Sequence, residues 1–413
     1  MGKRKVLLAL ALLSIAGSGS LLASEKSGVS FIALPIVGFH SDLGFQYGGY
    51  LDLFDPAHDH YHLEASHYTK GQTFVHGEYD SSHLIPGVRF VASATWQHDP
   101  LFNFYGFNGS VNSYEPSLDR KDGLAYYCYK RDLVRVLVTF QGKIGGGFSW
   151  MGGLNFRYMS SGDLNFKGYD SKNTLFNFYR ENGLIRDNEL SGFLLDMIAG
   201  LKFDTRDIEL DPRSGVWTEL LINGSPDFFG TSYPYLKAGF RWRHYLTPFG
   251  DWLTLAYHLG YQSTILGDAP FYMEQNISTI QIRQTCTEGL GGINTVRGIM
   301  GNRLIGRGYA WANFETRFRI FRFQLLNNDI VLGLNPFFDL GCITSPMRAE
   351  ETASAFGISV DEVYARSREL HPSAGIGAKV SANGNFVFSV EFGKPFRAED
   401  GLYGLYLALN YVF

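Results

Sequence analysis

The sequence predicts an all-β protein, a transmembrane antiparallel β-barrel of about sixteen strands. Three observations predict it. Apolar and polar residues alternate along many stretches, which is the period of a strand with two unlike faces. Charged residues make up only 18% of the chain while aromatics reach 15% and glycines number 48, a balance that suits aromatic girdles and tight turns. Long connections alternate with short ones, as external loops alternate with periplasmic turns in such barrels. A net charge of −4 offers no basis for nucleic-acid binding.

Taken in order, the chain opens on Lys3, Arg4 and Lys5, then an apolar run over 6–15 and small residues around Ala23 and Ser24. This reads as a cleavable secretory signal over residues 1–24, leaving 25–413 as a barrel with no periplasmic domain. No later segment reaches the roughly 20 uninterrupted apolar residues of a membrane helix. The alternation predicts strands at 29–40, 44–54, 60–69, 73–80, 87–98, 132–143, 147–160 and 193–206. It continues at 215–224, 235–246, 251–263, 309–322, 329–342, 372–382, 385–394 and 402–413. In 193–206, Phe193, Leu195, Met197, Leu201 and Phe203 share one face, and Asp196, Lys202, Asp204 and Arg206 the other. Charges in the hydrocarbon zone are expensive, so the polar face must look into the lumen. In the last strand Leu405, Leu407, Leu409, Tyr411 and Phe413 form the apolar face.

The long connections are 99–131, 161–192, 264–308 and 343–371. With the N-terminus on the periplasmic side, 264–308 is the sixth external loop. It carries Arg297 in a glycine-rich tip, Gly291-Gly292-Ile293-Asn294-Thr295-Val296-Arg297-Gly298. A buried guanidinium needs carboxylate partners. Strand parity puts Glu315 and Asp339 on the lumen faces of the two strands that follow.

Val296-Arg297-Gly298, together with Phe337-x-Asp339-x-Gly341, resembles the bacterial surface antigen barrel superfamily, the outer-membrane assembly and translocation barrels of the BamA and TamA type. The resemblance implies a long external loop folded into the lumen, with its arginine paired to acidic wall residues. Ile299 stands where that family usually has an aromatic. Asp204-Thr205-Arg206, followed by Pro212-Arg213-Ser214-Gly215, resembles the family's periplasmic turn. Ser41-Asp42-Leu43-Gly44 resembles its first turn, and Tyr411 with Phe413 resembles the C-terminal aromatic insertion signal. The implied function is insertion or translocation of polypeptide or lipid clients at a bacterial outer membrane. The implied partners are outer-membrane lipids, the clients, the host barrel-insertion machinery and a separate periplasmic or lipoprotein partner. A passive, porin-like pore is the alternative, and an outer-membrane hydrolase with residues at the external rim is a third reading.

The remaining signals are bland. No nucleophile elbow, phosphate loop or zinc-protease motif occurs in the mature chain, so neither an enzyme nor a cofactor is expected. His58, His60 and His62 alternate, which on a strand aims them one way; a polar turn is the plainer reading, and no metal is expected. Cys128, Cys286 and Cys342 all fall toward the outer side and leave one disulfide open. The aromatic runs at 102–107 and 176–179 lie in external loops, as loop packing or a surface for a partner.

Overall fold

The computed structural model describes residues 29–56, 59–278, 287–325, 328–383, 386–409 and 413; the expected signal lies outside them. Sixteen strands form one closed antiparallel barrel. They are β1 Ser30–His40, β2 Gly44–Phe54, β3 His60–Tyr68, β4 Thr73–Ile85, β5 Val88–Asn103, β6 Cys128–Gly145, β7 Phe148–Gly162 and β8 Ser191–Asp204. The wall continues with β9 Gly215–Ser225, β10 Tyr235–Leu246, β11 Leu253–Gly267, β14 Gly308–Leu325, β15 Asn328–Ser345, β16 His371–Ala382, β17 Phe386–Pro395 and β18 Gly404–Leu409. Two short strands, β12 Asn276–Ile277 and β13 Thr287–Glu288, pair with each other inside the sixth external loop. Among the described residues, no helix is long and apolar enough to cross a membrane.

The alternation reads out on the two faces of the wall. On β8, Phe193, Met197 and Leu201 are exposed outward while Asp196 is buried. On β14, Phe314 and Ile320 face out, and Asn313, Glu315 and Arg317 are buried inside. Interior charges meet partners across strands. Arg131 lies 3.1 Å from Asp99, and Arg243 lies 3.0 Å from Glu219. A closed sheet leaves no edge whose backbone must be satisfied by lipid.

The external end is capped. β5 and β6 run past their expected ends and pair Phe102 with Tyr129 and Asn103 with Cys128. Beyond them Phe104, Phe107, Phe176, Tyr179, Phe271 and Ile305 join one buried cluster built from the long loops. The helix Leu175–Glu181 enters it with Thr174 as its cap, accepting from the Asn177 amide at 3.2 Å. The two aromatic runs are therefore loop core. Cys128 and Cys342 are both free thiols, which removes a pairing between them; Cys286 lies outside the described residues.

Among the described residues the barrel closes at a short seam. Among the described residues β1 meets β18 at Phe39–Leu407 and His40–Tyr406, whereas β1 pairs with β2 over its whole length. One more backbone bond runs from the Ser41 amide to the Leu405 carbonyl at 3.1 Å. The end of the chain departs from expectation. The last strand is described as far as Leu409, and Phe413 is buried inside rather than facing lipid. Phe413 packs with Tyr245 and Ala256 and lies 5.3 Å from the His258 ring. Its carbonyl accepts from Arg317 Nη2 at 2.6 Å. A hydrogen bond to a cation and aromatic contacts hold Phe413 in the interior. Tyr411 lies outside the described residues.

Candidate functional site

The sixth external loop turns back against the interior wall. After the β12–β13 ladder, Leu290 bridges Leu304 and closes a compact tip. Inside it the Gly291 amide donates to Thr295 Oγ1 at 2.9 Å, and the Gly292 amide donates to the Ile299 carbonyl at 2.8 Å. Val296 and Ile299 point into a buried apolar cluster with Leu290, Leu304, Tyr309, Trp311 and Ile343. That leaves Arg297, between them, aimed at the wall.

The structure brings Arg297, Asp339 and Glu315 together and adds a third carboxylate. Arg297 Nε and Nη2 donate to the two oxygens of Asp339 at 2.8 and 2.9 Å, and the Arg297 amide donates to Asp339 at 3.0 Å. Nη1 reaches Glu391 at 3.0 Å and Glu315 at 3.3 Å. The guanidinium also lies 3.7 Å over the Phe337 ring. Two further cations complete the cluster. Lys379 donates to Glu391 at 2.5 Å, and Arg317 lies 3.6 Å from Glu315. Three carboxylates thus face three cations, all buried. Burial works against the charge of Arg297, but Asp339, then Glu391 and Glu315, outweigh it and hold the proton more tightly than usual. Bidentate pairing with a carboxylate also sets the orientation of the plane.

Backbone contacts weld the tip to the C-terminal strands. The Arg297 carbonyl accepts from Ser373 Oγ on β16 at 2.5 Å. The Gly298 amide donates to the Tyr406 hydroxyl on β18 at 3.2 Å. Gly298 has φ +88 and meets Gly393 of β17; a Cβ on it would lie 2.7 Å from the Gly393 carbonyl carbon. Gly341 serves the same end, since a Cβ there would lie 2.9 Å from Val296. The spacing Phe337-x-Asp339-x-Gly341 therefore places ring, carboxylate and gap side by side on β15. Sequence reasoning missed Glu391, Lys379, Ser373 and Tyr406. Parity on β17 would have put Glu391 inside, but nothing local tied it to a loop 94 residues away.

The second motif stands apart, in the periplasmic turn between β8 and β9. Arg206 forks onto Asp204 at 2.9 and 2.7 Å and lies 3.9 Å over the Trp217 ring. Pro212 is buried. Gly215 has φ +104, and a Cβ there would lie 2.3 Å from the Thr205 carbonyl oxygen. The turn is held by its own residues. A third polar cluster sits in the cap. His371 Nδ1 lies 2.8 Å from Asp400, and Ser110 Oγ lies 3.4 Å from His371 Nε2. The order imitates a hydrolytic triad, but the Ser110 hydroxyl donates to Glu399 at 3.0 Å. An imidazole activates a hydroxyl only by accepting its proton. The cluster ties three cap segments together.

Comparison with known proteins agrees with this architecture. An Omp85 superfamily domain matches residues 80–410. Among solved structures the chain is similar to BamA from Haemophilus ducreyi lacking POTRA domains 1–3, with 14% identity and a TM-score of 0.62 over 98% of this chain and 78% of that one. It is similar to CdiB from Escherichia coli, with 11% identity and a TM-score of 0.57 over 94% of this chain and 64% of that one. CdiB from Acinetobacter baumannii gives 12% identity and a TM-score of 0.50 over 94% and 60%. The chain thus spans less than two thirds of either CdiB. At these identities the likeness is one of fold. No curated protein sequence matches the chain. An Omp85 domain over four fifths of the length, on a closed sixteen-stranded wall, makes this chain a member of the Omp85 superfamily and an outer-membrane β-barrel.

Proposed function

We propose that the barrel inserts or translocates polypeptide clients at the outer membrane, by opening laterally between β1 and β18. The observation that carries this reading is the seam, with its two described register positions against full-length pairing everywhere else on β1. At about 1 kcal/mol net per hydrogen bond, parting the described rung costs a few kcal/mol. The freed edge of β1 is a template for an incoming strand. The Arg297 tip joins β14, β15, β16, β17 and β18 into one body, so that opening moves β1 away from an intact C-terminal half. No bond-making step is involved. Lipid clients, a separate periplasmic or lipoprotein partner, and export through the signal at 1–24 belong to the same reading.

The test has two arms. Depleting the protein should change the protein or lipid inventory of the outer membrane; an unchanged inventory speaks against client insertion. Cysteines at Phe39 and Leu407, in a chain whose own three cysteines are serine, should lock the seam. Activity should vanish on oxidation and return on reduction. Full activity of the locked barrel would sink lateral opening. A large, steady conductance in planar bilayers would favour the passive pore instead.

A further inference from the structure

On the far side of the seam the interior face of β2, β3 and β4 carries a different chemistry. The register lines up Asp52, His62 and Glu78 on one rung, His60 with Asp80 on the next, and Glu64 with His76 on the rung before. Tyr61 and Leu63, between them on β3, face outward, so all these groups share the interior. One carboxylate oxygen, Asp52 Oδ1, lies 2.7 Å from His60 Nε2 and 2.7 Å from His62 Nδ1. Among the described residues, both side-chain hydrogen bonds of Asp52 are to imidazoles. This separates it from the interior carboxylates Asp99, Asp339 and Glu391, which meet arginine or lysine.

We propose that Asp52, His60 and His62 form a binding site for a divalent transition metal of the zinc class. Their donor atoms lie within 4.8 Å of one another, and Glu78 and Asp80 bring oxygens within the same distance of His60. Metal–ligand bonds of about 2.0–2.2 Å put neighbouring donors about 3–3.5 Å apart, so an ion enters by widening two hydrogen bonds by less than about 1 Å. Two imidazoles and a carboxylate are a borderline N/O donor set with room for water, which selects zinc, nickel or copper over calcium or magnesium. The rings are held by packing: Phe54 stacks on His60 at 4.6 Å, and Tyr50 lies 5.8 Å from His62. The side chains of Asp52 and His62 keep 17% exposure, and His60 opens β3 beside the periplasmic turn, so a hydrated ion has a route in. The bound ion would tie β2 to β3 two strands from the seam.

The test uses the full chain without a polyhistidine tag, folded in detergent. Zinc content after dialysis is measured by mass spectrometry, and cobalt substitution is followed by visible absorption. The expected result is one ion per chain, with at least a tenfold loss of affinity in D52N and in H60A/H62A. H244Q, which alters a histidine on β10 away from the cluster, should bind like the parent. Heat-modifiable gel migration confirms folding, and H62Q replaces any variant that fails it. Absence of zinc above the level of H60A/H62A would overturn the site and leave a hydrogen-bonded network only. Equal losses in H244Q would overturn it as well.

Discussion

The two flanks of the seam solve the same problem in opposite ways. Both must keep polar groups inside a lipid-embedded wall. The C-terminal flank uses permanent charges, with Arg297, Arg317 and Lys379 set against Asp339, Glu315 and Glu391 and a long loop packed over them. The N-terminal flank uses imidazoles against carboxylates, joined by short turns. The loop touches that flank at its external turn, where a Cβ on Gly301 would lie 3.2 Å from Asp42. Permanent buried pairs resist separation because either partner left alone is costly. On the other flank Asp52 and His62 each keep 17% of their side chains exposed, so water can take over part of what the pair supplies. Under the proposed lateral opening, the C-terminal side of the seam is the fixed body and the N-terminal side the one that moves.

The comparison breaks most sharply at Arg297. Arg297→Ala removes the cation that Asp339 holds with both oxygens and that Glu391 and Glu315 share, and should cost about 3–5 kcal/mol. Loop residues 287–307 should become far more sensitive to protease while the wall keeps its heat-modifiable migration. Wild-type proteolysis and wild-type activity together would mean that the cluster has no role. Next in size is Gly298→Ala, which forces a Cβ to within 2.7 Å of Gly393 at φ +88. Overpacking of that kind costs about 1–3 kcal/mol, read as a lower unfolding midpoint in detergent. Glu391→Gln removes one partner shared by Arg297 and Lys379 and should cost about 1–3 kcal/mol. A value equal to Arg297→Ala would mean that Glu391, and not Asp339, is the main anchor. On the other flank His62→Gln in metal-free protein should cost about 1 kcal/mol or less. A loss as large as that of Arg297→Ala would erase the contrast between the flanks. Smallest of all, Asp204→Asn should cost about 0.5 kcal/mol or less, read as a small drop in the unfolding midpoint, since the turn also rests on Gly215 and on Arg206 over Trp217.

Much of the wall was legible because its signal is local. A strand between lipid and a polar lumen must alternate, and β8 and β14 show that alternation residue by residue. Arg297, Glu315 and Asp339 could be named as a set because a glycine-flanked arginine and two inward acids stand within 42 residues. Glu391 could not, because its link to the loop depends on how the sheet closes. The inward turn of Phe413 was hidden for the same reason. Its place in the alternation puts it on the lipid face, whereas Arg317, His258, Tyr245 and Ala256 hold it in the interior. The aromatic runs of the cap read more plainly as loop packing than as a surface, and the loops that cover one another make them core.

What the sequence determined alone is the periodic part: a strand's two faces, the lengths of its turns, and the glycines that allow φ near +90°. These depend on neighbours in the chain. Tertiary structure alone decided which charges meet across the lumen, where the barrel is weakly sewn, and that Asp52 stands between two imidazoles. Each of those is a distance between residues brought together by closure of the sheet, and closure is a property of all sixteen strands at once.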